Sequence, residues 1–308
     1  MCELTRLLWG TILLRPYVFA FLAVYLVAGW GHIGWKRTLA FIPVGYCLAW
    51  LSEFCSIHWG FPYGDYFYIQ STADRELWVF GVPFMDSLSY VFLSYCSYSL
   101  AVFLMSPVSL WPDNPVRPLT SPIRLSTQTL ILGAFLFMLL DIVIDPVALQ
   151  GERWFLGRIY GYRHEGFYFG IPMSNFGGWL FVGVVMTLAL QALERMASLD
   201  SGLDRAANRS SWMRLLGPAL YFSVLLFNIA VTFWIGEALL GLVDLILFAA
   251  LIALVYFFML NKNSRLSDEE ARAQLSRHLS VSANSPLDHD STHHVPQHRS
   301  WDPQKSGD

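Results

Sequence analysis

Four carboxylates stand in stretches that are otherwise apolar. Glu53 lies in "AWLSEFCSIHWGFPYGDYFY", Asp86 in "GVPFMDSLSY", and Asp141 and Asp145 end the run "ILGAFLFMLLDIVID". Asp141 and Asp145 are one helical turn apart, so on a helix they share a face, with Phe137 a turn deeper. Asp86 opens a second stripe at the helical period, followed by Ser89, Tyr90, Ser94 and Ser97. Two neighbouring carboxyls away from water seldom carry two charges together, which makes the Asp141–Asp145 pair the expected proton donor. Pro146 is expected to end the helix at Asp145. Asp86 follows Pro83 near the start of its own helix, where the positive end of the helix dipole favours an anion. An acid and a base held in one site could deliver a proton to a substrate atom and take one back from water.

The elements that must hold these groups are membrane helices. Of the 308 residues 55% are hydrophobic and 16% aromatic, while Asp, Glu, Lys and Arg reach only 14%, against roughly 25% in soluble proteins. Runs long enough to cross a hydrocarbon layer of about 30 Å occupy 14–33, 38–58, 82–105, 127–146, 174–196, 212–235 and 237–260. The expected fold is therefore an all-α polytopic membrane bundle of about seven helices, the last two joined as a tight hairpin at Ile235-Gly236-Glu237. Residues 1–260 form this transmembrane domain, and the polar stretch 261–308 is expected to be a disordered tail. The first run is too long for a signal-peptide core and is expected to stay as an anchor. Cys2, Cys47, Cys55 and Cys96 show no CxxC spacing and read as small core residues.

Lys36, Arg37, Arg117, Arg124, Arg195, Arg205, Arg209, Arg214, Lys262 and Arg265 fall on one side of the seven spans. Arg6, Arg75, Arg153, Arg158 and Arg163 fall on the other. That bias places the tail in the cytoplasm, in a plasma (inner) or thylakoid membrane. Glu53, Asp86, Asp141, Asp145, Asn175 and Glu237 with Asp244 then all come near the outer face, and ionisable groups converging inside a membrane mark a functional site. Each can also serve only to tie helices together, the preferred reading for Asp244. Trp30, Trp35 and Trp78 read as an interfacial belt. A formal charge of −3 with scattered arginines excludes nucleic acid as a partner. His32, His58 and His164 are isolated and His278, His289, His293, His294 and His298 lie in the tail, so the paired spacings that a two-iron oxygenase needs are missing. No GxGxxG follows a strand and no Walker loop is present. The expected chemistry uses no metal and no cofactor: it runs on carboxyls, water and aromatic faces.

The segments "SEFCSIHWGFPYGDYFY" and "DPVAL…W…G…YFGIPMSNFGGWL" resemble the CruF-type carotenoid biosynthesis proteins over roughly residues 40–195. The resemblance implies a membrane hydratase that adds water across the terminal isopropylidene double bond of an acyclic, lycopene-like end group, giving a tertiary alcohol. It assigns no catalytic residue. On the physical argument Asp141 and Asp145 supply the acid, and Asp86 or Glu53 orients the water and accepts its proton. Tyr63, Tyr66, Tyr68, Tyr90, Trp154, Tyr168 and Trp179, together with Tyr160 and Phe167, are candidates to bind the end group and stabilise a cation. Asn175 is expected either to cap its helix or to hold the water. Gly177 and Gly178 allow close approach of a flat polyene or of another helix. The expected partners are the carotenoid, water and membrane lipid, with other carotenoid-pathway enzymes as neighbours. Two other readings keep the carboxylates: a carotenoid cyclase or isomerase using the same acid, and a carotenoid or lipid carrier or proton-coupled transporter.

Overall fold

The computed structural model describes residues 3–106, 121–197 and 215–260. The expected tail at 261–308 lies outside them, as do Cys2, Arg117, Arg205, Arg209, Arg214, Lys262 and Arg265. Among the described residues the helices are α1 Glu3–Leu14, α2 Pro16–His32, α3 Trp35–Trp59, α4 Phe84–Met105, α5 Ser121–Arg124, α6 Thr127–Leu149, α7 Met173–Ala197, α8 Leu216–Trp234 and α9 Ala238–Leu260. Six of these (α3, α4, α6, α7, α8 and α9) are long and apolar enough to cross a membrane. Helix α2 has 17 residues, the lower limit for a span, and meets α1 at 88°. The bend has a local cause: Arg15 leaves helical geometry and Pro16 restarts the chain at the first position of α2. Among the described residues the protein is an all-α membrane bundle with six clear spans, and a seventh if the bent pair α1–α2 is taken as one.

Helix α4 is the axis of the bundle. Its apolar and small residues are buried nearly all round, from Met85 to Leu104, with α2, α3, α6, α7 and α8 packed about it. Ser94 and Ser97 donate to the Tyr90 and Leu93 carbonyls of their own helix, so the deeper half of the polar stripe is closed internally. At the end where α2 turns into α3, Arg124 reaches Glu194 at 3.3 Å and donates to the His32 carbonyl at 3.0 Å, and Tyr98 donates to Glu194. This buried clasp ties α5 and the ends of α2 and α7 together. Cys96 is buried, whereas Cys47 faces outward on α3, because that position falls on the lipid side of the helix and not on its core side.

The opposite end carries short strands between helices: β1 Tyr66–Tyr68, β2 Trp78–Val79, β3 Val82–Pro83 and β4 Tyr160–Tyr162. Strands β1 and β4 pair antiparallel with Tyr66 opposite Tyr162, Phe67 opposite Gly161 and Tyr68 opposite Tyr160. Side chains alternate across a strand, so this register sets four tyrosines on one face, toward the helices. A buried ion pair fastens the same end. Arg15 donates to Glu76 at 2.9 and 3.1 Å and to the Leu156 carbonyl at 2.5 Å. Thr72 adds a hydroxyl to Glu76, and Thr11 accepts from the Leu77 amide. Arg153 likewise pairs with Glu237 in the tight turn between α8 and α9.

Helix α6 does not end at Asp145: it continues through Pro146 to Leu149. The carbonyls of its last turn are met by side chains. Tyr160 donates to the Asp145 carbonyl, Gln150 to that of Pro146 and Trp154 to that of Val147. These donors satisfy carbonyls that the end of the helix leaves free.

Candidate functional site

A cavity of about 140 Å³ opens between the helix bundle and the β1–β4 cap. Helix α6 presents Asp141, Ile144, Asp145 and Ala148 to it, one face at the helical period. Helix α4 contributes Asp86, Ser89 and Tyr90; α3 contributes Glu53; and α7 contributes Asn175 and Trp179. The cavity is small beside the 300–1,000 Å³ of pockets that take a drug-sized molecule.

The four carboxylates share their donors in two pairs, Glu53 with Asp86 and Asp141 with Asp145. Glu53 accepts from Tyr66, Tyr90 and Tyr68, the last at 2.9 Å. The Tyr68 hydroxyl also reaches Asp86. One phenolic hydrogen cannot lie between both carboxylates and bond each fully, so Tyr68 couples Glu53 to Asp86. Asp145 accepts from Tyr160 at 2.5 Å and from Tyr162 at 2.6 Å. Asn175 uses its amide nitrogen on both aspartates, 2.7 Å from Asp141 Oδ2 and 3.0 Å from Asp145 Oδ2. It bridges the pair, because the first turn of α7 faces the last turns of α6. The remaining oxygen, Asp141 Oδ1, is buried without a hydrogen-bond partner. Buried polar atoms are almost always paired, so an orphan on a cavity wall points to a job in the cavity.

Aromatic faces enclose the same space. Trp179 stacks on Tyr90 with centroids 4.7 Å apart, and Phe137 packs against both, 4.7 Å from Trp179 and 5.7 Å from Tyr90. Tyr63 is 5.9 Å from Trp179 and accepts or donates a hydrogen bond with Ser52. Burial, and then the charge of Asp145, push the hydroxyls of Tyr160 and Tyr162 up from their ordinary range, so both stay protonated donors. Gly178 lets this wall close. A β-carbon there would lie 2.6 Å from the Pro62 carbonyl, so close approach of the loop and not of a ligand explains this glycine.

Of the residues singled out from the sequence, Glu53, Asp86, Asp141, Asp145, Tyr63, Tyr66, Tyr68, Tyr90, Trp154, Asn175 and Trp179 all border the cavity. Tyr168 does not: its ring packs on Phe169 and Phe176, because the turn at 166–171 folds back on itself through paired Gly166 and Gly170. Phe167 points outward, 81% exposed. Asp244 is fully buried against Thr232, away from the cavity, so its place matches a helix tie. Three cavity residues carried no signal that spacing alone picks out: Tyr17, Phe227 and Asn228. Tyr162 did have one, since "YFY" and "YGY" are matching period-2 patterns that read as two paired strands with tyrosines on one face. Among the described residues no group of three or more His, Cys, Asp or Glu side chains is placed to hold a metal ion.

A family model described as carotenoid biosynthesis protein matches residues 11–259, which takes in every span from α2 to α9 and the whole cavity. No curated protein and no solved structure gives a significant match. With its membrane bundle and this match over most of its length, the chain belongs to the carotenoid biosynthesis protein family.

Proposed function

We propose that the protein is a carotenoid hydratase of the CruF type, adding water to the terminal isopropylidene double bond of an acyclic end group without a cofactor. The observation that carries the reading is the unpartnered Asp141 Oδ1 on the wall of a small aromatic cavity whose other walls hold Glu53 and Asp86. In the proposed reaction Asp141 gives its proton to the less substituted alkene carbon, and the electron pair of the double bond becomes the new C–H bond. The cation left at the tertiary carbon rests against the faces of Trp179 and Tyr90, which offer their negative quadrupoles. Water attacks that carbon, and Asp86 or Glu53 takes the proton released. Tyr68, touching both carboxylates, spreads the charge between them. Return of the proton to Asp141 resets the site, so the sum is one alkene and one water to one alcohol.

Asp145 has a different part. With Tyr160, Tyr162 and Asn175 all donating to it, Asp145 is the anchor that fixes Asn175, and Asn175 in turn fixes Asp141. The depth also suits the substrate. A stiff polyene about as long as the ~30 Å hydrocarbon layer has its end near the interface, where water is found.

The test is expression in a host that accumulates lycopene, in heavy-oxygen water, with mass analysis of the extracted pigments. A product heavier by one water, with the label in it, is expected. Unchanged mass with a shifted absorption spectrum would make the protein a cyclase or isomerase instead, and label arriving from dioxygen would rule out hydration.

A further inference from the structure

The cavity holds one end of a carotenoid and no more, so the rest of the polyene must leave it. The core below is filled: Tyr25, Phe41, Val91 and Tyr95 have no exposed surface. The outer side is covered by the tyrosines of β1 and β4, and the α3–α7 side by Tyr63 and Trp179, both nearly fully buried. The wall between α2 and α8 is apolar apart from Asn228, and its residues Tyr17, Phe21 and Phe227 are partly buried. Beside them the chain already faces lipid, with Ala20 exposed and Leu226 50% exposed.

We infer that the seam between α2 and α8 is the portal through which the carotenoid chain passes from the lipid into the cavity, with Phe227 as its gate. Phe227 touches both lips of the seam's opposite side: its ring is stacked 5.3 Å from Tyr17 and edge-on 5.7 Å from Phe21. Stacked rings of this kind part along a plane, the shape of a conjugated polyene, and offer it π-faces as it slides between them. The Arg15–Glu76 pair holds the strand-side end of this seam in place by pinning the α1–α2 corner to the loop at Leu156. The portal therefore selects for a long, flat and thin chain leading away from the reacting end, which a ring within the first few bonds would obstruct.

This inference rests on the proposed carotenoid reaction, and the experiment separates the two. Purified protein in liposomes is given lycopene, or myrcene, a short terpene with the same isopropylidene end. In Phe227→Trp the KM for lycopene is expected to rise about tenfold, as for one obstructive group in a tight apolar passage, a markedly larger loss than with myrcene, whose short chain needs no passage through the seam. Leu226→Trp, one residue away on the lipid face, is expected to change neither. Phe21→Trp on the facing lip repeats the test should Phe227→Trp fail to accumulate. Equal losses with both substrates, or no loss with either, would overturn the portal. Wild-type protein that hydrates neither compound would sink the hydratase reading alone. The portal would then be judged by the lycopene retained on the protein after gel filtration, where undiminished retention in both tryptophan variants overturns it.

Discussion

Replacing each aspartate of the α6 pair by asparagine separates proton delivery from support. Asp141 accepts one hydrogen bond, from Asn175 at 2.7 Å on Oδ2, and its Oδ1 meets no donor. In Asp141→Asn the amide oxygen can keep the Asn175 contact while the NH2 group takes the empty side, so the fold should lose less than about 1 kcal/mol. The acid is gone, however. General acid catalysis contributes about a hundredfold to ten-thousandfold, so turnover should fall by that factor, about 3 to 5 kcal/mol on the barrier. Asp145 is the opposite case. Both its oxygens accept, from Tyr160 on Oδ1 and from Tyr162 and Asn175 on Oδ2. An asparagine there turns one charged acceptor into an NH2 that must donate to a tyrosine hydroxyl, which gives up hydrogen bonding to a charged group at a cost of about 1.5–3 kcal/mol. Thermal melts in detergent and hydration rates in liposomes, measured on both variants, are the assay. Asp141→Asn should melt like the wild type and be nearly inactive, and Asp145→Asn should melt lower. An active Asp141→Asn, or a melting order the other way round, would refute the division of labour drawn from these hydrogen bonds.

Two further outcomes concern the outer end of the bundle. Arg15 is 1% exposed and Glu76 is fully buried, so Glu76→Gln or Arg15→Met leaves one charge buried alone and should destabilise by about 3–5 kcal/mol. Replacing both with Met should cost less than either single change; a double variant as unstable as the sum of the singles would show that the pair does more than neutralise itself. Burial, followed by the charge of Asp244 and then Asp141, pushes the Tyr168 hydroxyl up to about 12, and Tyr160 and Tyr162 are raised by burial and Asp145. Hydroxyls raised in the folded state contribute stability that is complete below the unfolded tyrosine value of about 10 and is lost as pH rises through the folded ones. Melting temperature should thus fall only above about pH 10, and Tyr160→Phe combined with Tyr162→Phe should flatten that fall. An unchanged alkaline fall in the double variant would assign it to other groups.

The sequence by itself determined the spans and the helix faces that carry the carboxylates. Hydrocarbon demands continuous apolar helix of a set length, so runs such as 127–146 and 237–260 could be read within a few residues of α6 and α9. Helical periodicity likewise set Asp141 with Asp145 and Asp86 with Ser89 and Tyr90, because a helix fixes its faces locally. The extension of α6 past Pro146 was not legible, since it depends on Tyr160, Gln150 and Trp154 arriving from the next loop to satisfy its carbonyls. Only the tertiary structure decided how the carboxylates are wired. The pairing of β1 with β4 joins tyrosines far apart in the chain, and the Arg15–Glu76 pair spans 61 residues. The bridge from Asn175 to the α6 pair exists because α7 starts where α6 ends in space. Such contacts follow from how the helices pack, and packing among apolar surfaces is set by the whole bundle at once, with no local pattern to announce which polar group will meet which.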